Sequence, residues 1–334
     1  MSVLLVLGVS ISLQAQKDDE VTFPLENFYA KRIKSPFRTI LKNVVFSGSV
    51  GIGNTFVSHK LDGFGISQVD GIAPTIFPVD QTNRYSNWLN TIRSPAPGAG
   101  PDSFIVSSDS VRLGFKGNAI NFPFKLSVHY EFLEKYRLGG GFSYEIMSIG
   151  DLHSINFKDK INDFAPTNPS GFMKKYFVLL GVSFYRWNDI LFTGDVNVGG
   201  YNPGNNFLKP LIKKGIYANL GVTIEKDFSE YIKVFMRPSF EIKNYTLSIP
   251  GSGGKSIVHN LNAFYLNVGV SYRIPELARC YHPDCHAQIN HAHGNKEYRS
   301  RMHPFYKKQN PHYGENYPKL LKYKGRNKKK LNPH

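Results

Sequence analysis

The chain has 334 residues, enough for two ordinary domains or for one large β domain with extensions. Aromatic residues make up 14% of it and 30 residues are Gly, a composition that favours β structure. No apolar run reaches the roughly 20 residues of a transmembrane helix, which argues against a helical membrane protein. The net charge is +16, but residues 275–334 contain 13 Lys and Arg against 4 Asp and Glu, so +9 of it lies there. This concentration indicates an interaction arm rather than a nucleic-acid-binding domain.

The N-terminal stretch has the pattern of a secretory signal peptide. Leu4–Leu13 forms its apolar core, and the small residue Ala15 precedes a polar, acidic mature start. The alternative is a buried N-terminal strand or helix. We expect residues 1–15 to be a signal peptide and residues 16–42 to be an N-terminal periplasmic segment with amphipathic character. No cysteine lies near the cleavage point, so we expect an exported protein without a lipid anchor.

Eight segments between residues 43 and 274 alternate apolar and polar residues with a period of two. In residues 121–132, for example, apolar side chains occupy every even position, while Lys125, His129 and Glu131 occupy odd positions. This period is typical of strands with one apolar face. The segments therefore predict eight β-strands of about 10 residues each, a length that lets a tilted strand cross a bilayer.

The connections between these segments alternate strictly between short and long. The short ones are residues 133–135, 185–189 and 226–230, and the long ones are residues 60–108, 150–175, 201–215 and 248–262. A soluble β-sandwich has no reason to sort its loops in this way, whereas bacterial outer-membrane barrels have short periplasmic turns and longer extracellular loops. We predict an all-β fold: an eight-stranded antiparallel transmembrane outer-membrane barrel at residues 43–274, with an extended C-terminal tail at residues 275–334.

The pattern resembles a known class, the small eight-stranded outer-membrane barrels of the OmpX and PorT kind, and in particular the outer-membrane β-barrel proteins of Bacteroidota. The resemblance covers about residues 43–274 and includes the stretch HYEFLEKYRLGGGFSYEI (residues 129–146). Such barrels commonly end at an aromatic C-terminal residue that is used in membrane insertion. Here Tyr272 is internal and a tail follows it, so insertion signals are expected in an internal strand.

The polar strand faces are expected to point into the barrel. An eight-stranded barrel is just wide enough for side chains to fill it, and opposite charges in such an interior should pair. We therefore expect a plugged, salt-bridged lumen, with an ion path as the alternative. The charged and titratable residues expected there are Lys125, His129, Glu131, Arg137, Glu145, Asp195, Glu225, Arg237, Glu241 and Arg273, together with Lys233 and Lys243.

A catalytic site is not predicted in this barrel. Lipid hydrolases and acyltransferases of similar size need a Ser and a His within hydrogen-bond reach near the lipid interface. His59, His153 and His259 are expected in or beside the long loops, and no outward His has an outward Ser two residues away. The sequence therefore predicts a protein that is not an enzyme.

The beginning of the tail is rich in potential metal ligands. It contains Cys280, His282, Cys285, His286, His291 and His293. In an oxidising periplasm the first expectation is a disulfide between the two cysteines. The second is a tetrahedral zinc site, in which thiolate and imidazole are the preferred ligands, and unmodified thiols are the third. No other cofactor is expected.

The rest of the tail mixes basic and aromatic residues without helical or strand periodicity. Aromatic and Arg side chains separated by extended segments are typical of a strip that docks onto a partner protein, while a disordered tail is the alternative. The residues expected to dock are Tyr298, Arg299, Arg301, Phe305, Tyr306, Tyr313, Tyr317 and Tyr323. The expected partners are outer-membrane lipid around the barrel and other outer-membrane or periplasmic proteins at residues 276–334, not nucleic acid.

Together these features predict a non-enzymatic outer-membrane barrel with a periplasmic tail. We expect it to act as an accessory or scaffold subunit of a larger envelope complex. The resemblance to Bacteroidota barrels implies the outer-membrane-protein assembly machinery or the type IX secretion machinery. The alternatives are a passive channel or small-solute carrier, and a surface adhesion barrel that uses its long first loop.

Overall fold

A computed structural model describes residues 36–285 apart from 99, 101, 134, 189 and 230, and also residues 291–293 and 296–299. The predicted signal peptide lies outside these residues. The first element is the helix α1 (Pro36–Leu41), which falls in the predicted N-terminal segment and exposes Phe37 and Ile40. No helix in this described part of the chain is long and apolar enough to cross a membrane.

Thirteen strands follow α1 in the described residues. They are β1 (Val44–Lys60), β2 (Phe64–Gln68), β3 (Thr75–Pro78), β4 (Phe104–Ser107), β5 (Gly114–Phe132), β6 (Tyr136–Ser154), β7 (Ser170–Trp187), β8 (Ile190–Pro203), β9 (Ile212–Asp227), β10 (Ile232–Ser248), β11 (Ser256–Arg273), β12 (His291–His293) and β13 (Lys296–Tyr298). Eight of them form a closed antiparallel barrel in the order β1-β11-β10-β9-β8-β7-β6-β5. Each of the eight predicted strands lies within one of these barrel strands, so the predicted fold is confirmed.

Strand β1 closes the ring because it pairs on both of its edges. Val45 lies opposite Arg273 of β11 on one side and opposite His129 of β5 on the other. A closed sheet has no edge strand, so its backbone N–H and C=O groups are satisfied between neighbouring strands. This is the condition that a sheet must meet to stand in hydrocarbon.

The connections confirm the predicted alternation between short and long. The short ones are residues 133–135, 188–189 and 228–231, and the long ones are residues 61–113, 155–169, 204–211 and 249–255. At the two-residue turn, Asn188 has a φ of 50°, a left-handed conformation that Asn adopts more readily than most residues. The last three long connections are shorter than predicted because the strands, of 14 to 19 residues, pair beyond their apolar segments, whereas the first, at residues 61–113, extends slightly beyond the predicted 60–108. The predicted connection 150–175 therefore includes the end of β6 and the start of β7.

The outside of the barrel is apolar on every strand. Leu126, Val178 and Val268, for example, are 67%, 54% and 49% exposed, although they are aliphatic. Soluble proteins do not leave an apolar belt of this extent in water. A closed antiparallel sheet with an apolar exterior and a polar interior is the architecture of a transmembrane β-barrel.

The first long connection has a fold of its own. Its strands form a small sheet in the order β3-β2-β4, and Ile66 at the centre pairs with Ile76 and with Val106. Ile66 and Ile76 are fully buried in an apolar core that continues into the barrel. This sheet lies at the end of the barrel where the long connections meet, which we call the long-loop mouth; the opposite end is the short-turn mouth.

Candidate functional site

The middle of the barrel contains a closed group of four charges. Lys175 Nζ on β7 lies 2.5 Å from Glu145 Oε2 on β6 and 2.6 Å from Glu241 Oε1 on β10. Lys243 Nζ lies 3.1 Å from Glu241 and 3.5 Å from Glu145, and Tyr265 donates a 2.8 Å hydrogen bond to Glu145. All four charged side chains are at most 3% exposed. We call Glu145, Lys175, Glu241 and Lys243 the central network; its two positive and two negative charges balance.

A second group of charges lies nearer the short-turn mouth. Arg137 donates two parallel hydrogen bonds of 2.8 and 2.5 Å to Glu225, the bidentate geometry that makes such pairs strong. Arg137 also lies 3.3 Å from Glu131. Lys233 Nζ lies within 4.0 Å of Glu131, Glu225 and Asp227 at once. We call these five residues the mouth network.

Further ion pairs extend the two networks. Arg237 donates a 2.7 Å hydrogen bond to Asp195, and Arg273 lies 3.4 Å from Glu131. The Lys125 ammonium lies 4.5 Å from the centre of the Phe177 ring. The structure thus places all ten predicted interior residues on inward-facing strand positions, as it does Lys233 and Lys243.

The interior leaves little space between these side chains. A cavity of about 40 Å³ lies between the two networks, lined by Lys125, His129, Asp195, Phe235 and Arg237 among others. A water molecule needs roughly 10–15 Å³ of such space, so the cavity has room for a few waters but for no larger solute. The charged half of the barrel is therefore filled.

The long-loop mouth is closed by an apolar cluster. Trp88, from the first long connection, is fully buried, with ring centres 4.6 Å from His59, 5.4 Å from Phe115 and 5.5 Å from Phe164. The adjoining backbone carbonyl of Leu89 accepts a 2.9 Å hydrogen bond from the hydroxyl of Tyr245 on β10. We call Trp88 and the rings around it the Trp88 plug.

A surface ion pair holds the first long connection over this mouth. Lys255, between β10 and β11, donates hydrogen bonds of 2.7 Å to Asp80 Oδ1 and 3.0 Å to the carbonyl of Gly63. The hydrogen bond from Lys255 lowers the pKa of the Asp80 carboxyl below its usual value. The contact thus joins the first and last long connections.

The structure places two histidines inside the Trp88 plug. His59 borders the first long connection, as expected, because β1 ends at Lys60. His259 lies inside β11, directly opposite His59, with ring centres 4.9 Å apart. Both are at most 1% exposed. The strands continue into the polar part of the sequence, which moves these rings inside the barrel. His153 does lie at the outer surface, half-exposed, with Nδ1 2.7 Å from Asp163 Oδ2.

The beginning of the tail folds back onto the short-turn mouth. The Cys280 N–H donates to the carbonyl of Arg299, and the Arg299 N–H donates to the carbonyl of Ala278, both at 3.0 Å. Between them, β12 and β13 form a hairpin. The guanidinium of Arg299 lies 4.5 Å from the ring centre of Tyr231, in the connection between β9 and β10. We call residues 275–285, 291–293 and 296–299 the tail module.

The tail module brings predicted ligands together. One ligand atom each of Cys280, Cys285 and His293 lies within 4.8 Å of the others. The His282 ring centre is 4.3 Å from that of His293. The two sulphur atoms are not joined in a disulfide. His286 and the side chain of His291 lie outside the described residues.

The predicted docking residues divide into two groups. Arg299 is only 8% exposed because it packs against the barrel's own Tyr231, so its position differs from that expected of a residue that meets a partner. Tyr298 lies beside Tyr281, with ring centres 5.3 Å apart. The others lie outside the described residues: Arg301, Phe305, Tyr306, Tyr313, Tyr317 and Tyr323.

Comparison with known proteins gives only remote structural similarities. No protein-family model and no curated protein matches the chain. Among solved structures, the outer-membrane protease OmpT of Escherichia coli is similar at 14% identity and a TM-score of 0.33, over 70% of this chain and 97% of that one. The outer-membrane protein OprG of Pseudomonas aeruginosa gives 10% identity and a TM-score of 0.31, over 68% and 96%.

Because these identities and scores are low, the assignment rests on the chain's own geometry. The closed eight-stranded sheet and its apolar exterior define a protein of the outer-membrane β-barrel class. Within that class, the chain combines a filled lumen with a folded tail module at one mouth.

Proposed function

We propose that the protein is a non-enzymatic anchor whose short-turn mouth docks onto another protein of the bacterial envelope. The observation that carries this proposal is the filled lumen. The central and mouth networks occupy one half of the barrel, and the Trp88 plug closes the other. A conduit for ions or solutes needs a continuous path, and a barrel of this width has no room left for one.

The proposed docking face consists of α1 and the tail module. Lys42, just after α1, forms a 3.0 Å salt bridge with Glu276, and the Arg38 guanidinium donates to the carbonyl of Pro275 at 3.5 Å. These contacts hold the two extensions of the barrel side by side. Phe37 and Tyr281, 70% and 65% exposed, offer apolar anchors of the kind found at the centres of protein interfaces.

Charge favours an acidic partner surface. Residues 275–334 carry +9 of the net charge of +16, and basic side chains speed the encounter with a surface of opposite sign. In the periplasmic orientation predicted from the loop lengths, that surface belongs to an envelope protein. The sequence resemblance to Bacteroidota barrels favours the outer-membrane-protein assembly or type IX secretion machinery.

Deletion of residues 276–334 tests the proposal. The full chain and the deletion variant are solubilised in mild detergent, and the proteins that co-purify are compared by mass spectrometry. We expect the deletion to remove the main partner while the barrel still shows the heat-modifiable migration of a folded barrel. A variant that lacks residues 94–103, at the opposite mouth, is the matched control and should keep the partner.

Planar-bilayer recording separates the anchor from a channel. We expect no stable conductance steps from the purified full chain. Steady conductance, or an unchanged set of partners after tail deletion, would show that the protein is a channel or a surface-adhesion barrel instead.

A further inference from the structure

We propose that the tail module is a metal site in which Cys280, Cys285 and His293 bind one zinc ion, with His282 as the fourth ligand. This inference goes beyond the docking function, because metal binding needs no partner protein. It concerns the chain's own residues at the short-turn mouth.

The first argument is the distance between ligand atoms. The three atoms of Cys280, Cys285 and His293 lie within 4.8 Å of one another. Around a tetrahedral zinc ion, sulphur and nitrogen ligands lie roughly 3.3–3.8 Å apart, given their bond lengths to the metal. A contraction of about 1 Å therefore brings the three atoms into coordination. His282 is not one of the three residues whose ligand atoms already lie together, but its ring centre is 4.3 Å from that of His293, so a rotation of its side chain would bring a ring nitrogen to the remaining position.

The second argument is how the backbone brings these residues together. His293 is the last residue of β12, and the β12–β13 hairpin returns the chain so that Arg299 pairs with the backbone on both sides of Arg279. This pairing places the imidazole of His293 beside two thiols. A disulfide between Cys280 and Cys285 would need no imidazole there, whereas a tetrahedral zinc ion bound by only two thiolates needs two further ligands, which imidazoles can supply.

The third argument is the chemistry of the donor set. Two thiolates and two imidazoles match the Cys₂His₂ composition of structural zinc sites, and two thiolates neutralise the divalent ion. Calcium and magnesium are disfavoured because they prefer oxygen ligands. Cys280 is only 3% exposed, so one thiolate is shielded from oxidants and competing thiols.

Zinc binding would also stabilise the small tail module. A segment of this size cannot bury enough apolar surface to be stable alone, and small domains are commonly stabilised by a metal or a disulfide. Binding free energy then becomes folding free energy, because the ligands are gathered only in the folded state. Zinc would thus fix the module against Tyr231 and the short-turn mouth.

Metal analysis of the full chain tests the site. Protein purified in detergent without chelator is analysed by inductively coupled plasma mass spectrometry, and its intact mass is measured without reductant. We expect about one zinc per chain, and less than about one tenth of an ion in C280S/C285S and in H293A. The H282A variant should lose zinc to a chelator at least about tenfold faster than the wild-type protein. H153A, which removes an exposed histidine at the opposite mouth, is the matched control and should keep its zinc.

Heat-modifiable migration of every variant checks that the barrel itself is folded. Replacement of zinc by cobalt should give the visible absorption of a four-coordinate thiolate site. A wild-type chain that is two hydrogens lighter, and that takes up no zinc after reduction, would overturn the proposal. So would zinc retained by H293A, whether or not the tail binds a partner.

Discussion

Lys175 is an important member of the central network, because its buried ammonium group contacts two carboxylates. Glu145 and Glu241 lie 2.5 and 2.6 Å from Nζ, and each also faces Lys243. Buried charges are tolerated when each is paired, whereas an unpaired one is costly. The stability of the barrel interior therefore depends on keeping the two lysines and two glutamates together.

Replacement of Lys175 by Met leaves two buried carboxylates facing one lysine. We expect Lys175→Met to destabilise the folded barrel by about 3–5 kcal/mol, the cost typical of removing one partner from a buried ion pair. The measurement is the urea midpoint of the barrel in lipid vesicles, followed by tryptophan fluorescence.

Lys174→Met is the matched control, because Lys174 is the preceding residue of β7 and points outward. It should cause no loss of stability, since it removes a charge from the outer face of the barrel. Equal midpoints for Lys175→Met and the wild type would show that the central network is not required.

The sequence was sufficient to predict which residues face inward, but not which of them meet. Alternation with a period of two places Glu145 and Glu241 on the inner faces of their strands, as observed. It did not identify Lys175, because the apolar face of β7 begins late and Lys175 was assigned to a loop. Nor can alternation show that β6, β7 and β10 bring their charges to one level, since that depends on strand register.

At the scale of the element, the side chain of Arg299 joins the tail module to the barrel. Arg299 stacks on Tyr231, donates from Nε to the carbonyl of Leu277 at 3.2 Å and pairs through its backbone with Ala278 and Cys280. The sequence predicted Arg299 as a residue for a partner protein. Composition alone could not show that Arg299 contacts Tyr231 of the same chain, because the two residues lie far apart in the sequence.

Replacement of Arg299 by Ala should loosen this element and leave the barrel intact. The change removes a cation–π contact and a hydrogen bond, so backbone amides in residues 277–282 should exchange about tenfold faster, equivalent to about 1.4 kcal/mol. Hydrogen–deuterium exchange followed by mass spectrometry measures this.

Arg112→Ala removes the same type of side chain from an exposed position at the long-loop mouth and serves as the control. Exchange in residues 277–282 should not change in that variant. If Arg299→Ala also left it unchanged, the tail module would be held by other contacts.

At the scale of the whole molecule, two different kinds of side chain fill the two halves of the barrel, charged ones and aromatic ones. Charged pairs fill the half next to the short-turn mouth, and the Trp88 plug fills the half next to the long-loop mouth. The charged half could be predicted from the sequence, because polar residues alternate with apolar ones along the strands. The Trp88 plug could not be predicted in this way, because Trp88 comes from a long connection whose sequence has no regular period.

Removal of the first long connection should open only the long-loop mouth. Lys60 and Gly114 are cross-strand partners, so a short Gly/Ser linker in place of residues 62–112 can still join β1 to β5. In a C280S/C285S background, which has no other cysteine, we expect H259C to react with a membrane-impermeant maleimide only when the connection is replaced.

S256C is the accessible control for this experiment, because Ser256 is exposed at the start of β11. It should react in both backgrounds. Equal labelling of H259C in the intact chain would show that the mouth is open to solvent without any deletion.

The pairing of the first barrel strand with the last has a consequence for incomplete chains. β1 joins β11 along sixteen positions, from Val45 opposite Arg273 to Lys60 opposite Val258. A polypeptide that ends before β11 because of a nonsense codon would form an open sheet with two unpaired edge strands. Its peptide groups would have no acceptors among acyl chains. We therefore expect a truncated chain of this kind not to insert as a partial barrel and to be degraded.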